Sequence, residues 1–356
     1  MKKDKRKQSG IEIGIYTFGD IGSDPLTGQT VGTKQRVRDI IESAKLADEA
    51  GLDVFGIGEH HRLDYAVSAP VIILAAIAQV TKHIKLTSAT TVLSTVDPVR
   101  LFEDFSTLDI LSDGRAEIIA GRGAYVESFP LFGFDLNNYD ALFEENIELF
   151  LKLNEAESIS WDGRFRSSLS NAEISPRPIQ NKLPIWVGVG GTEESAARAG
   201  RLGVGMAIAI LGGEASRFKP LVDLYRESAA KANHSPEDLN VAVTGHAYIA
   251  KTTEQARDEF FPYYFNYWSY VNGQQGIQYN LSRRDFDQLT APDTALFVGS
   301  PQQVAEKIIC QHELFGHQRF IAQLDIGGLP FKKVAEGIEL LAAEVAPIVR
   351  KATSHK

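Results

Sequence analysis

Eight stretches rich in Val, Ile and small apolar residues recur along the chain, each followed by a segment of helical periodicity. No other feature limits the fold as strongly. They lie at residues 11–18, 54–58, 84–93, 116–121, 185–189, 204–211, 241–249 and 320–326. Most are too continuously apolar to keep one face wet, as expected of parallel strands covered on both sides. The segments between them carry helix signals. Val37, Ile40, Ile41, Ala44 and Ala47 form one face of a helix that stops at Gly51. Asp97-Pro98 supplies an N-cap with Pro in the first turn, and Ser300-Pro301 opens a helix to about Phe315. Asn138 is a cap for the face Phe143, Ile147, Phe150. Thr192 precedes Glu193 and Glu194, whose carboxylates suit the positive end of a helix dipole. Eight βα units predict an α/β fold, a (β/α)8 TIM barrel with insertions at 155–182 and 267–294. Its loops at the C-terminal strand ends would carry the site. The Tyr-, Asn- and Gln-rich second insertion reads as a mobile lid. A doubly wound sheet fits less well, because the first strand runs into Gly19-Asp20-Ile21-Gly22-Ser23 and not GxGxxG.

The chain has 356 residues, 44% apolar and 23% charged, the profile of a soluble globular protein. Its net charge of −9 argues against nucleic acid as a partner, since phosphate binding needs clustered Lys and Arg. Five of the first seven residues are basic, with no apolar stretch after them. Residues 1–10 therefore read as a solvated disordered tail, and residues 11–350 as one barrel domain. No apolar run approaches the roughly 20 residues of a membrane helix. The single cysteine, Cys310, lies in a helical pattern and reads as a buried core thiol with no disulfide role. Together these point to the cytoplasm.

Three strand ends invite chemistry. On the second, Gly56, Gly58 and His60 share a face. If that face looks inward, two missing side chains leave room near the axis, with His60 at the mouth. The run Glu59-His60-His61 admits a metal site, an acid/base site or a polar rim. Metal is the weakest, because adjacent strand residues point to opposite faces, and the eight histidines contain no His-x-His. The fourth strand ends in Gly121-Arg122-Gly123, where Arg122 is either an unobstructed anion ligand or half of a surface ion pair. The fifth ends in Gly188-Val189-Gly190-Gly191-Thr192. Its glycines form either a tight turn or a backbone nest for phosphate at a helix start, and Thr192 can add a hydroxyl. Their coincidence on adjacent strands favours a phosphate-bearing ligand. The third strand offers Thr87-Ser88-Ala89-Thr90-Thr91, either a surface for a flat ring or an ordinary Thr-rich strand. Tyr125, Trp186 and His246 are candidates for touching substrate.

In this order the motifs resemble the bacterial-luciferase-like family of flavin-dependent monooxygenases. The residues that carry the likeness begin with Gly58-Glu59-His60-His61, Leu93 to Arg100, and Leu111-Ser112-Asp113-Gly114-Arg115. Gly121-Arg122-Gly123, Phe132-Gly133-Phe134-Asp135, Pro184 to Gly188 and Val298-Gly299-Ser300-Pro301 complete the series. The resemblance implies a barrel that binds FMN at its C-terminal mouth. Arg122 and the Gly190-Gly191-Thr192 backbone would hold the phosphate. Ala89-Thr90 falls where family members often carry a non-proline cis peptide against the flavin ring. His60 matches the active-site histidine. The implied reaction uses reduced FMN, delivered by a separate flavin reductase, and O2 to oxygenate a small organic substrate such as an aldehyde, sulfonate or alkane. The alternatives are deazaflavin-dependent hydride transfer on the same fold and non-catalytic FMN binding. The family's dimer surface would fall on Ala75 to Ala78 and Leu101-Phe102, unless these pack on the barrel.

Overall fold

The structure, a computed structural model, describes residues 10–354 apart from 124 and 275. The expected basic tail, save Gly10, lies outside the described residues. Among the described residues twelve strands run in chain order: β1 (Glu12–Thr17), β2 (Val54–Ile57), β3 (Lys85–Ser88), β4 (Thr91–Val92), β5 (Ala116–Gly121), β6 (Ser158–Trp161), β7 (Leu169–Glu173), β8 (Ile185–Val189), β9 (Gly205–Ala209), β10 (Val241–Ile249), β11 (Phe297–Gly299) and β12 (Arg319–Gln323). The helices are α1 (Thr33–Ala50), α2 (Pro70–Ala78), α3 (Pro98–Leu111), α4 (Ser128–Phe132), α5 (Tyr139–Glu155), α6 (Glu193–Leu202), α7 (Lys219–Lys231), α8 (Thr253–Gly273), α9 (Arg283–Leu289), α10 (Pro301–Phe315), α11 (Phe331–Leu340) and α12 (Ala346–Thr353).

β12, β1, β2, β3, β5, β8, β9 and β10 pair in parallel in that order, and β10 pairs β12 to close the ring. This is the (β/α)8 barrel expected from eight buried apolar strands. β4 continues the third barrel strand beyond a break at Ala89-Thr90, a peptide that is cis. The continuous strand read over 84–93 is thus two short pieces. The first insertion contains the antiparallel hairpin β6–β7. β11 pairs in parallel with the C-terminal end of β10, Ala247 to Ile249.

Several helix ends follow from local chemistry. Asp97 accepts from the Val99 and Arg100 N–H groups, and Ser300 from Gln303 N–H. α1 ends at Gly51 with φ 84°, a left-handed cap that a glycine adopts without cost. Asn138 is a correction: its side chain caps nothing, and Asp135 instead accepts from Asn137 N–H one turn earlier. Cys310 is a second. It is exposed, because the buried stripe of α10 is Val304, Ala305, Ile308 and Phe315, which leaves position 310 facing outward. Ile77, Ala78, Leu101 and Phe102 are buried against the barrel.

One apolar core lies between barrel and helices, and a smaller one fills the barrel with Tyr16, Val54, Ala89, Ile119, Trp186, Ala207, Ala242 and Ile321. Beneath the inner core, at the N-terminal strand ends, sits an ionic layer. Arg319 donates from Nε to Glu12 (2.7 Å) and from Nη1 and Nη2 to Glu117 (2.5 and 3.1 Å). Lys85 donates to Glu12 at 2.6 Å and lies 3.3 Å from Glu117. Burial pushes the Glu117 carboxyl up, but Arg319 and Lys85 outweigh it and hold it at about 2.

Candidate functional site

The C-terminal ends of the barrel strands gather two groups of side chains, one over β5 and β8 and one over β1, β2, β10 and β12. In the first, Arg122 leaves β5 toward the start of α6. It pairs with Asp140 in the first turn of α5, lies 5.1 Å over the Tyr139 ring, and donates from Nη2 to the Ser195 hydroxyl at 3.0 Å. Ser195 and Thr192 hydroxyls are 2.8 Å apart. Arg122, Ser195 and Thr192 therefore form one chain of donors at a helix N-terminus, where the dipole favours an anion. Thr192 occupies the N-cap but its side chain bonds Ser195 instead of a backbone N–H.

A Cβ built on Gly190 or Gly191 would meet nothing within 4 Å, and Gly191 has φ +118°, which side-chain-bearing residues rarely adopt. The backbone here is open to close approach. Nearby Arg198 pairs with Glu144, is 5% exposed, and has Nη1 buried without a partner. A phosphate fits this set: cation, hydroxyls, bare backbone and helix terminus converge on one place.

Next to it Thr90 points between β5 and β8. A Cβ on Gly121 would lie 2.5 Å from Thr90 Oγ1, and one on Gly188 2.9 Å from Thr90 Cγ2. The glycines thus make room for Thr90 itself. The same holds on β2 and corrects the expected gap at the axis. The space beside Gly56 is taken by Ala89 and Tyr16. That beside Gly58 is taken by the Phe18 ring, which would lie 2.5 Å from a Cβ on that glycine.

In the second group, His60 stands at the mouth within a cage of rings. Its centroid is 4.1 Å from Tyr65, 5.0 Å from Phe18 and 5.4 Å from Tyr125. Its Nε2 is buried without a partner. Burial pushes the imidazole down to about 4, against a smaller upward pull from Asp64. His60 is therefore neutral at pH 7 and can accept a proton. His61 is tied to Glu59 at 2.8 Å, and Glu59 accepts from Val92 N–H at 3.0 Å, so both serve the β2–β4 junction. Tyr125 joins the cage through its hydroxyl, 3.2 Å from that of Tyr65, with the Arg62 guanidinium 4.9 Å from its ring.

His246 projects from β10 into the upper barrel. It is fully buried, and α8 covers it with Tyr264, Tyr267 and Trp268. The segment expected as a lid from residue 267 thus begins as ordered helix. Asn266 fixes α8 by donating to Ser23 O and Gly327 O, both at 3.0 Å, and Arg62 reaches Gln274 at 3.0 Å. Trp186 is placed elsewhere. It packs in the lower barrel against Arg319, 4.6 Å from the guanidinium carbon, and fills the position that Gly205 leaves bare. Sequence patterns alone do not single out Phe18, Tyr65, Ser195, Tyr267, Trp268 or Gln323. Ser195 is recoverable, one helical turn beyond Thr192. The aromatic run of α8 carries no such signal.

Among the described residues no three His, Cys, Asp or Glu side chains gather as a metal site would require. No described helix is long and apolar enough to cross a membrane.

The fold is a (β/α)8 barrel whose C-terminal end gathers, over β5 and β8, an arginine, two hydroxyls and bare glycine backbone at a helix start. A family model for luciferase-like monooxygenases matches residues 11–318, and the chain belongs to that family. It is 24% identical over 337 residues to the oxygenase component of the flavin-dependent trigonelline monooxygenase of Acinetobacter baylyi, covering 88% of this chain and 90% of that one. Among solved structures it resembles the oxygenating constituent of 3,6-diketocamphane monooxygenase from Pseudomonas putida in complex with FMN. The TM-score is 0.76 at 22% identity, over 95% of this chain and 98% of that one. It also resembles the coenzyme F420-dependent tetrahydromethanopterin reductase of Methanopyrus kandleri. There the TM-score is 0.72 at 20% identity, over 96% of this chain and all (100%) of that one.

Proposed function

We propose that the chain is the oxygenase of a two-component system, taking reduced FMN from a separate flavin reductase and using O2 to oxygenate a small organic substrate. The observation that carries this reading is the chain Arg122–Ser195–Thr192 at the start of α6, beside the open backbone of Gly190 and Gly191. Membership of the family and the likeness to an oxygenase component support it.

Bound reduced FMN would supply the electrons for oxygen activation. The protein's own part is to hold, orient and protect. Arg122, Ser195, Thr192 and the Gly190–Gly191 backbone would hold the phosphate, with Ala89 and Thr90 facing the ring. His60, kept neutral by burial, would move a proton at Nε2. Phe18, Tyr65 and Tyr125 on one side and α8 on the other keep water from the reacting centre. A homodimer in the cytoplasm completes the reading.

The test mixes the protein loaded with reduced FMN against oxygenated buffer. Reoxidation is expected to lag behind that of free FMN, with delayed release of hydrogen peroxide. His60→Ala should retain the flavin but release peroxide about 100-fold sooner, the lower end of what a proton-transfer group contributes. Peroxide released at the free-flavin rate by the unaltered protein overturns the oxygenase assignment. Tighter binding of F420 than of FMN would assign hydride transfer instead.

A further inference from the structure

We propose that His246, Gln323 and Asp325 form the distal end of the substrate pocket and recognise a neutral amide, a carboxamide or ring lactam, on an aromatic or cyclic substrate. This rests on the reading of the mouth as the place of oxygenation and names the kind of molecule it admits.

The three residues form one inner wall. Tyr16, Gln323 and His246 stand side by side in register on β1, β12 and β10. Asp325 lies two residues beyond Gln323, on the same face and one layer nearer the mouth. His246 and Gln323 are 0% exposed, yet both ring nitrogens of His246 and both amide atoms of Gln323 have no hydrogen-bond partner. Asp325 is 8% exposed with Oδ1 equally unpartnered. An unmet buried polar atom costs about 1–3 kcal/mol, and five of them gathered on one wall beside the mouth make that wall receptive to a polar guest.

Their chemistry specifies the guest. Neutral His246 offers one donor and one acceptor, Gln323 an NH2 with two N–H donors and an accepting carbonyl oxygen, while Asp325 only accepts. An amide answers all three, its carbonyl to the donors and its N–H groups to the acceptors. An anion does not, for no free cation faces this wall among the described residues. Arg36 is fastened to Asp325 Oδ2 (2.6 Å), Asp20 O (3.0 Å) and Thr17 Oγ1 (3.2 Å). Arg62 is fastened to Asp64 and Glu127. Tyr16, Tyr264, Tyr267 and Trp268 add flat apolar walls around the same place, suited to a ring.

The experiment titrates benzamide, benzoate and benzylammonium, three probes of one size and three charges, into the flavin-free full chain, read by tryptophan fluorescence and calorimetry. Benzamide should bind at least about 10-fold more tightly than either ion, and Gln323→Leu should erase that preference. His246→Phe should do the same. Should one variant fold poorly, the other carries the test. Benzoate or benzylammonium binding as tightly as benzamide, an undiminished preference in both variants, or no binding by any probe overturns the proposal. FMN affinity measured in parallel separates the two readings: its loss strikes the oxygenase assignment, and its retention with indifferent probes strikes only the amide wall.

Discussion

At the N-terminal end of the barrel, Glu12, Lys85, Glu117 and Arg319 are buried to different depths but answer one another almost completely. At the C-terminal end, His60, His246, Gln323 and Asp325 hold buried polar atoms that no protein group answers. The two layers lie at opposite ends of one barrel, meeting on β12 where Arg319 and Gln323 bound the strand, and both place polar groups inside an apolar cylinder. Desolvation is offset by pairing at one end and left open at the other. The paired end therefore bears on whether the chain folds. The unpaired end bears on what it holds.

Substitutions at the two ends should separate cleanly, and the largest effect belongs to the lower layer. Arg319→Ala leaves Glu117 as a buried carboxylate with only Lys85 beside it, so unfolding in urea should show a loss of about 3 kcal/mol. FMN affinity should stay within about 2-fold, since only the folded fraction changes. A variant as stable as the parent would mean the ionic layer is no better than neutral.

Arg122→Ala comes next and should show the opposite pattern. Losing a charge-assisted contact costs about 1.5–3 kcal/mol, so FMN should bind roughly 10- to 100-fold more weakly while melting hardly moves. Riboflavin, which lacks the phosphate, should bind parent and variant alike. If instead riboflavin affinity falls in step with FMN, Arg122 shapes the site without reading the phosphate.

The smallest effect concerns pH. Burial holds the His60 and His246 imidazoles at about 4, below the usual 6.5. The unfolded chain therefore takes up protons first as pH falls from about 6.5 toward 4, and stability drops across that window, in full only above it. His246 should account for about 1–2 kcal/mol of the loss between pH 7 and pH 5. Melting curves of His246→Phe should show a shallower fall between those two pH values. A slope equal to the parent's would place the acid sensitivity elsewhere.

The barrel is legible in the sequence because β1, β2, β5, β8, β9, β10 and β12 are almost wholly buried, and continuous apolar runs admit few other architectures. The donor chain at α6 is partly legible, since a charge and glycines at strand ends are local signals. Contacts between segments far apart in sequence are not. Trp186 is held against Arg319, 133 positions away, by a register that only barrel closure sets. The aromatic cover over His246 belongs to α8, whose Tyr and Trp residues look like a loop because they lack a clean apolar period. Cys310 shows the reverse error: its helical pattern is visible, but the buried stripe runs on the other side.

Thr90 reaches into space left by Gly121 and Gly188, so these three positions share a single allotment of volume. No side chain can be added at 121 or 188 without shortening residue 90, whatever the chemistry at the mouth. Relatives that carry a larger residue at the end of the fourth barrel strand should then carry a smaller one at 90, and a sequence alignment would show the positions changing as partners. Anyone reshaping this mouth by design has to move the three together.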